Sequence, residues 1–144
     1  MAEQAEGLTE RLLATPRSCR TATLALAARL GAGVIYVAFG SGKFASHRSE
    51  VESFRDYGLP SPDAFVYGIG VLEIGAGVLL LAGLLTRLAA LVLAGDMVGA
   101  IAASGIGRGE AISLTLAPAL LVAMLFLIRT GGGRWSVDGY LRER

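Results

Sequence analysis

Apolar residues fill four long stretches of this chain, and short polar segments separate them. The stretches cover residues 22–42, 64–85, 88–104 and 111–128, and each approaches the ~20 residues that a helix needs to cross a bilayer. Thr86 and Arg87 alone separate the second stretch from the third, so these two helices are predicted to form a tight antiparallel hairpin. The pattern predicts an all-α protein, an integral membrane four-helix bundle occupying residues 22–130.

The longest connection, residues 43–63, has the pattern of a short helix on the membrane surface. Val51, Phe54 and Tyr57 recur at helical spacing among charged residues, which is typical of an interfacial amphipathic helix. Residues 58–62, rich in glycine and proline, then turn the chain back toward the bilayer. We therefore predict a surface helix between the first and second spans.

The basic residues predict the orientation of the bundle. Eight lie on the side of the two termini: Arg11, Arg17, Arg20, Arg87, Arg129, Arg134, Arg142 and Arg144. Four lie on the opposite side: Lys43, Arg48, Arg55 and Arg108. The positive-inside rule then places both termini in the cytoplasm. Residues 1–21 are expected to form a polar cytoplasmic arm, and residues 131–144 a short cytoplasmic tail.

Composition narrows the class of protein further. Of the 144 residues 53% are hydrophobic and the mean hydropathy is +0.59, which leaves too little polar surface for a soluble globule. A net charge of +1 without a basic patch argues against a nucleic-acid partner. The single cysteine, Cys19, has no CxxC or His/Cys neighbourhood, so we expect neither a redox disulfide nor a metal site.

Three of the apolar stretches carry an ionisable residue well inside: Arg29, Glu73 and Asp96. A charge in hydrocarbon costs from about 2.5 to more than 10 kcal/mol, so such residues are normally paired or functional. The helical faces that contain them are Arg29, Gly33, Tyr36, Gly40 and Lys43 in the first stretch, Val66, Gly70, Glu73 and Gly77 in the second, and Gly95, Asp96, Gly99 and Ala103 in the third. Because small residues let helices approach closely, these faces are predicted to point into the bundle.

The helical rise of ~1.5 Å per residue puts the ionisable residues and Tyr36 within one layer of the bundle. We therefore expect Arg29 to contact Glu73 or Asp96, and Tyr36 to donate a hydrogen bond to Glu73. Two carboxylates against one guanidinium favour a shared proton, expected on Glu73. The cluster has three open interpretations: a satisfied structural network, a site for a quinone or another small molecule, and a proton or solute pathway.

Several short motifs follow one another along the chain: Arg29-Leu30, Gly40-Ser41-Gly42-Lys43, Gly58-Leu59-Pro60, Glu73, Gly83-Leu84-Leu85-Thr86-Arg87-Leu88-Ala89-Ala90 and Trp135-Ser136-Val137-Asp138. Their order and spacing over about residues 25–138 resemble the DoxX family of small four-helix bacterial membrane proteins. The resemblance maps Arg29, Lys43, Glu73 and Arg87 onto polar positions of the family, whereas the family pattern is least definite at Asp96.

The resemblance implies a multi-pass subunit of a redox assembly in the bacterial inner membrane. One family member belongs to a thiosulfate to quinone oxidoreductase, another is linked to a mycobacterial oxidoreductase complex, and many have no assigned activity. Because the chain lacks a flavin, haem or iron–sulfur signature, we expect no intrinsic cofactor, a bound quinone, and electrons from another polypeptide. The alternative is a non-catalytic accessory subunit of a larger membrane complex.

The resulting candidate site consists of Arg29, Tyr36, Lys43, Glu73, Arg87 and Asp96. No catalytic role is assigned to any of them, and no metal is expected. The expected partners are the lipid bilayer and other membrane or redox subunits. A homo-oligomer stays open, because Gly95 and Gly99 form a GxxxG pair that is able to serve contacts within the bundle or between copies.

Overall fold

The computed structural model describes residues 19–58, 60–107, 109–133 and 135–142. Its helices are α1 (Cys19–Ala45), α2 (His47–Asp56), α3 (Pro62–Ala82), α4 (Thr86–Ala100), α5 (Ala111–Thr130) and α6 (Val137–Arg142), and α4 continues as a π-helical segment over Ile101–Ile106. These described ranges contain no strand, which confirms the all-α class. Most of the predicted N-terminal arm, residues 1–18, lies outside the described residues.

Helices α1, α3 and α5, together with α4 and its π-helical extension, are long and apolar enough to cross a membrane. The predicted four spans are therefore confirmed, and α2 is the short helix predicted between the first two. Helix α1 runs further than the first apolar stretch, so that Lys43 lies in its last turn. Helix α3 ends before the predicted position, Leu85, because Gly83, with φ +70°, begins a left-handed turn.

Glycines set the packing of α1 against α3. A Cβ at Gly33 would lie 3.0 Å from the Gly77 carbonyl oxygen, and one at Gly40 would lie 2.8 Å from that of Gly70. These crossings place Gly33 opposite Gly77 and Gly40 opposite Gly70 in antiparallel register. The predicted faces of the first two spans do point into the bundle.

The remaining contacts close the four long helices into a ring. Helix α3 also packs against α4, α4 packs against α5, and α5 returns to α1. The prediction that Gly95 and Gly99 face a packed neighbour is wrong, because a Cβ at either would meet nothing within 4 Å. Helix α4 instead buries a neighbouring face that includes Leu93, Ala94 and Met97.

Candidate functional site

Arg29 lies at the end of the bundle where the C-terminal segment packs, away from the two membrane carboxylates. Its side chain is buried, and its guanidinium donates from Nη1 to the carbonyl oxygen of Gly132 (3.4 Å) and from Nη2 to that of Trp135 (2.7 Å). Its acidic neighbour is Asp138, whose charge acts on it directly. The expected contact of Arg29 with Glu73 or Asp96 is therefore wrong.

The register of α1 against α3 explains this correction. With Gly33 opposite Gly77, Arg29 lies level with Leu81, which also contacts Gly33. Glu73 is eight positions earlier in α3, or about 12 Å along the helix axis. Depths counted from the predicted ends of the spans gave too small an axial distance between Arg29 and Glu73. The sequence does not show which residues of two helices face each other.

Asp138 ties the C-terminal segment to the start of α4. Its Oδ1 accepts a hydrogen bond from the Leu85 amide (2.7 Å) and its Oδ2 from the Thr86 amide (2.9 Å). Free amides at a helix start need such acceptors, and a carboxylate there also complements the helix dipole. The sequence motifs contained this residue, but nothing in them revealed that it caps a helix more than fifty positions earlier.

Gly83 and Ser136 complete this arrangement. A Cβ at Gly83 would collide with the Arg29 guanidinium, so the turn after α3 requires glycine for space as well as for its positive φ. The Ser136 hydroxyl donates to the Gly133 carbonyl (2.6 Å) and accepts from the Gly139 amide (3.0 Å). We call Arg29, Gly83, Ser136 and Asp138 the C-terminal clasp; its contacts are those of a structural element.

A second group of polar side chains lies toward the end of the bundle that carries α2. Lys43 Nζ and Glu73 Oε2 form an ion pair at 2.8 Å, with side chains 13% and 5% exposed. The carboxyl groups of Glu73 and Asp96 act on each other electrostatically, and both feel the charge of Lys43. A hydrogen bond between the two carboxyl groups would require a proton on one of them, because an ionised carboxylate only accepts. The cation beside the carboxyls is thus Lys43, and the shared proton on Glu73 stays a prediction.

Tyr36 lies beside this group but forms no hydrogen bond with its described members. The residue is 1% exposed, and the charges of both Asp96 and Glu73 act on its phenol. Among the described residues, however, neither Tyr36 Oη nor Asp96 Oδ2 has a hydrogen-bond partner, although both atoms are buried. The expected bond from Tyr36 to Glu73 is therefore wrong. We call Tyr36, Lys43, Glu73 and Asp96 the carboxyl cluster.

The carboxyl cluster borders a cavity of about 570 Å³ inside the bundle. Cavities that bind small molecules typically measure roughly 300–1,000 Å³ and combine apolar walls with a few polar groups. The apolar walls here include Phe39, Phe65, Ile69, Leu72, Val92, Met97, Leu116 and Leu120. Beyond them the cavity extends to α2 and the start of α5, where Glu50, Phe54, Tyr57 and Glu110 line it.

A row of hydrogen-bonded side chains lines that second end. Ser104 Oγ donates to Ser113 Oγ (2.6 Å), and Ser113 Oγ donates to Glu110 Oε2 (2.9 Å). The Tyr57 hydroxyl approaches the same carboxylate oxygen at 3.4 Å; burial and the Glu110 carboxylate raise the pKa of Tyr57, which keeps its phenol a donor. The sequence does not reveal this row, because its members resemble ordinary polar residues at the ends of two spans.

The π-helical segment places Ser104 in this row. π-Helical turns are rare and occur frequently at functional sites. Here the segment ends beside the polar start of α5, where the Glu110 amide donates to the Ser104 carbonyl at 3.2 Å. A regular α-helical reading of the third span could not have shown this local change.

Arg87, the remaining residue of the predicted site, lies apart from the carboxyl cluster. Its Nη2 donates to the Arg129 carbonyl oxygen at 3.1 Å in an exposed position. The structure thus brings together Tyr36, Lys43 and Glu73 with Asp96, and separates Arg29 and Arg87 from them.

Comparison with known proteins adds two findings. Residues 24–105 match the model of the DoxX family. The Uncharacterized membrane protein Rv3486 of Mycobacterium tuberculosis (strain ATCC 25618 / H37Rv) is 34% identical over 132 residues, covering 81% of this chain and 80% of that protein. No solved structure matches the chain.

Proposed function

The chain belongs to the DoxX family of membrane proteins, and from that premise we propose that it is a subunit of a redox assembly that binds a quinone in the cavity. The observation that carries the proposal is the pair of buried atoms without a partner among the described residues, Tyr36 Oη and Asp96 Oδ2. A quinone carbonyl accepts a hydrogen bond, which Tyr36 offers. The hydroxyl of the reduced form donates one, which Asp96 accepts.

The charges around these two atoms suit the reduction of a quinone. Negative charge develops on a quinone oxygen as electrons arrive, and the Lys43 ammonium beside Glu73 would stabilise it. The Glu73–Asp96 pair would supply a proton to the same oxygen. Each quinone takes up two electrons and two protons, and the electrons come from a partner protein in the assembly.

The cavity also fits the apolar part of a quinone. Several of its wall residues keep 39–58% of their surface exposed, which indicates that the cavity opens toward the outside of the bundle: Phe39, Phe65, Val92 and Ile112. An isoprenoid tail could leave the cavity between these side chains and continue into the bilayer. The polar head would then remain at the carboxyl cluster.

Calorimetric titration of the detergent-purified chain with a short-chain ubiquinone and a short-chain menaquinone tests this proposal. Tyr36→Phe removes one hydrogen bond, worth about 1 kcal/mol net, and should weaken binding about fivefold. Tyr67→Phe is the matched control, because Tyr67 is half-exposed and stacks on His47 outside the cavity. Equal affinities of Tyr36→Phe and wild type, or no binding by wild type, would refute the proposal.

The second candidate function is a non-catalytic accessory subunit. The Lys43–Glu73 ion pair favours it, since a neutralised buried pair is able to fix helix register without chemistry. Glu73→Gln separates the two functions in an assembled complex. Loss of quinone-dependent electron transfer with intact assembly indicates a quinone site, whereas altered assembly with unchanged turnover per complex indicates a structural role.

We further propose the bacterial inner membrane as the location, with both termini in the cytoplasm. The basic residues at the clasp end of the bundle, Arg20, Arg87 and Arg129, support this orientation. A reporter enzyme that works only in the cytoplasm should be active when it is fused to the C-terminus. If a reporter that works only outside the cytoplasm were active there instead, the assignment would be reversed.

A further inference from the structure

The hydrogen-bonded row of Ser104, Ser113 and Glu110 runs from solvent into the cavity. Glu110 is exposed, whereas Ser113 and Ser104 are 9% and 5% exposed. All three line the same cavity as Glu73 and Asp96. A continuous row of exchangeable groups therefore begins at the face that carries α2 and ends inside the bundle; we call it the serine relay.

The order of donors gives the relay a direction. Ser104 donates to Ser113, which donates to the Glu110 carboxylate. A hydroxyl has one proton, and Ser104 has a second acceptor within reach, the Ala100 carbonyl oxygen at 2.8 Å. Rotation of this hydroxyl makes and breaks the connection to Ser113. In the observed order the row passes a proton outward, and with a proton on Glu110 and both hydroxyls turned the other way it passes one inward.

Small side chains leave space between the relay and the carboxyl cluster. Ser104 follows Asp96 by eight positions, about 12 Å along a helix. The residues between them that line the cavity include Gly99, Ala100 and Ala103. A cavity of about 570 Å³ has ample room for water molecules at ~30 Å³ each. Water is thus able to bridge the Glu73 and Asp96 carboxyl groups and Ser104.

Charged groups from four helices surround this space. Lys43 of α1, Glu50 of α2, Glu73 of α3 and Asp96 of α4 line it together with Glu110. The acids outnumber the base, which favours positive charge, including protons, in the cavity. At the opposite end of the bundle the C-terminal clasp packs tightly, with Gly83 in contact with Arg29.

We propose that the Glu73–Asp96 pair exchanges its proton with the aqueous face that carries α2, through water and the serine relay. The use of this proton in turnover rests on the proposed quinone function: each quinone reduced with electrons from the partner protein would draw its two protons from that face. Oxidation of the hydroquinone would release them there.

Hydrogen–deuterium exchange, followed by time-resolved infrared spectroscopy on the full chain in detergent, tests the relay without any quinone. The carboxylic acid band of the pair is assigned by its loss in Asp96→Asn and Glu73→Gln. Ser113→Ala and Glu110→Gln should each keep the band but slow its exchange about tenfold, a barrier increase of ~1.4 kcal/mol. Thr115→Val is the control, since the Thr115 hydroxyl bonds within its own helix, to the Ala111 carbonyl (2.7 Å).

Wild-type exchange rates in both relay variants, or the lack of a protonated carboxyl band in wild type, would overturn the inference. If Ser113→Ala does not fold, Glu110→Gln decides alone, because Glu110 is exposed. The quinone titration is read separately. Normal quinone binding with unchanged exchange removes only the relay, whereas slowed exchange without quinone binding removes only the quinone function.

Discussion

Tyr36→Phe should change stability and quinone binding in opposite directions. The Tyr36 hydroxyl is buried and has no partner among the described residues, and an unsatisfied buried group costs about 1–3 kcal/mol. Its removal leaves the ring and its packing intact, so the ligand-free variant should be more stable than wild type by up to about that amount. With a quinone bound, the wild-type hydroxyl gains a partner and its advantage returns.

Thermal unfolding in detergent, with and without a short-chain quinone, measures both effects. A ligand at 100 times its Kd stabilises a protein by about 2.7 kcal/mol. A variant that binds about fivefold more weakly loses ~1 kcal/mol of this at the same concentration. The ligand-induced shift in Tm should therefore be smaller in Tyr36→Phe than in wild type, while its ligand-free Tm is higher.

The matched control is again Tyr67→Phe, which should leave the ligand-induced shift unchanged. A ligand-free Tyr36→Phe protein that unfolds at a lower temperature than wild type would show that the hydroxyl has a stabilising partner. Tyr36 Oη would then not be the unpartnered group on which the quinone proposal rests, whatever the protein binds. A higher Tm with an unchanged ligand response would instead remove Tyr36 from the binding site.

Three further substitutions test the packing of the bundle by thermal or denaturant unfolding in detergent. Lys43→Met leaves Glu73 without its cation at 2.8 Å and should cost about 3–5 kcal/mol; adding Glu73→Gln should recover most of this, and no recovery would mean that the pair is not coupled. Asp138→Ala removes the acceptor for two amides at the start of α4 and should cost at least about 1–2 kcal/mol, so an unchanged Tm would contradict the clasp. Gly40→Ala would bring a Cβ to 2.7 Å from α3 and should cost about 1–3 kcal/mol, whereas Gly68→Ala, with nothing within 4 Å, should be neutral or stabilising.

Hydropathy and helical spacing were sufficient to predict the four spans and the short helix between the first two. These elements depend on local composition, which the sequence states directly. The faces of α1 and α3 were also predictable, because Gly33, Gly40, Gly70 and Gly77 recur at helical spacing. Local periodicity therefore gave most of the fold.

The partners of the charged residues were not predictable in the same way. Arg29 bonds to carbonyl oxygens 103 and 106 positions later in the chain, and no periodicity within one helix reports such a contact. The first span was predicted to end at Gly42, yet α1 continues past Lys43, whose ammonium lies 2.8 Å from Glu73. Without the register of α1 against α3, Arg29 was expected beside the carboxyls where the structure has Lys43.

The C-terminal clasp has a consequence for how this protein is made. Arg29 enters the membrane with the first helix, whereas its carbonyl acceptor Trp135 is synthesised 106 positions later. At about 5–20 residues per second, translation leaves that guanidinium without its final partners for roughly 5–20 s. An unpaired arginine in a membrane helix is costly, so the bundle does not reach its final packing before residues 132–138 are made. A chain truncated before residue 132 would leave the Arg29 guanidinium without both of its carbonyl acceptors.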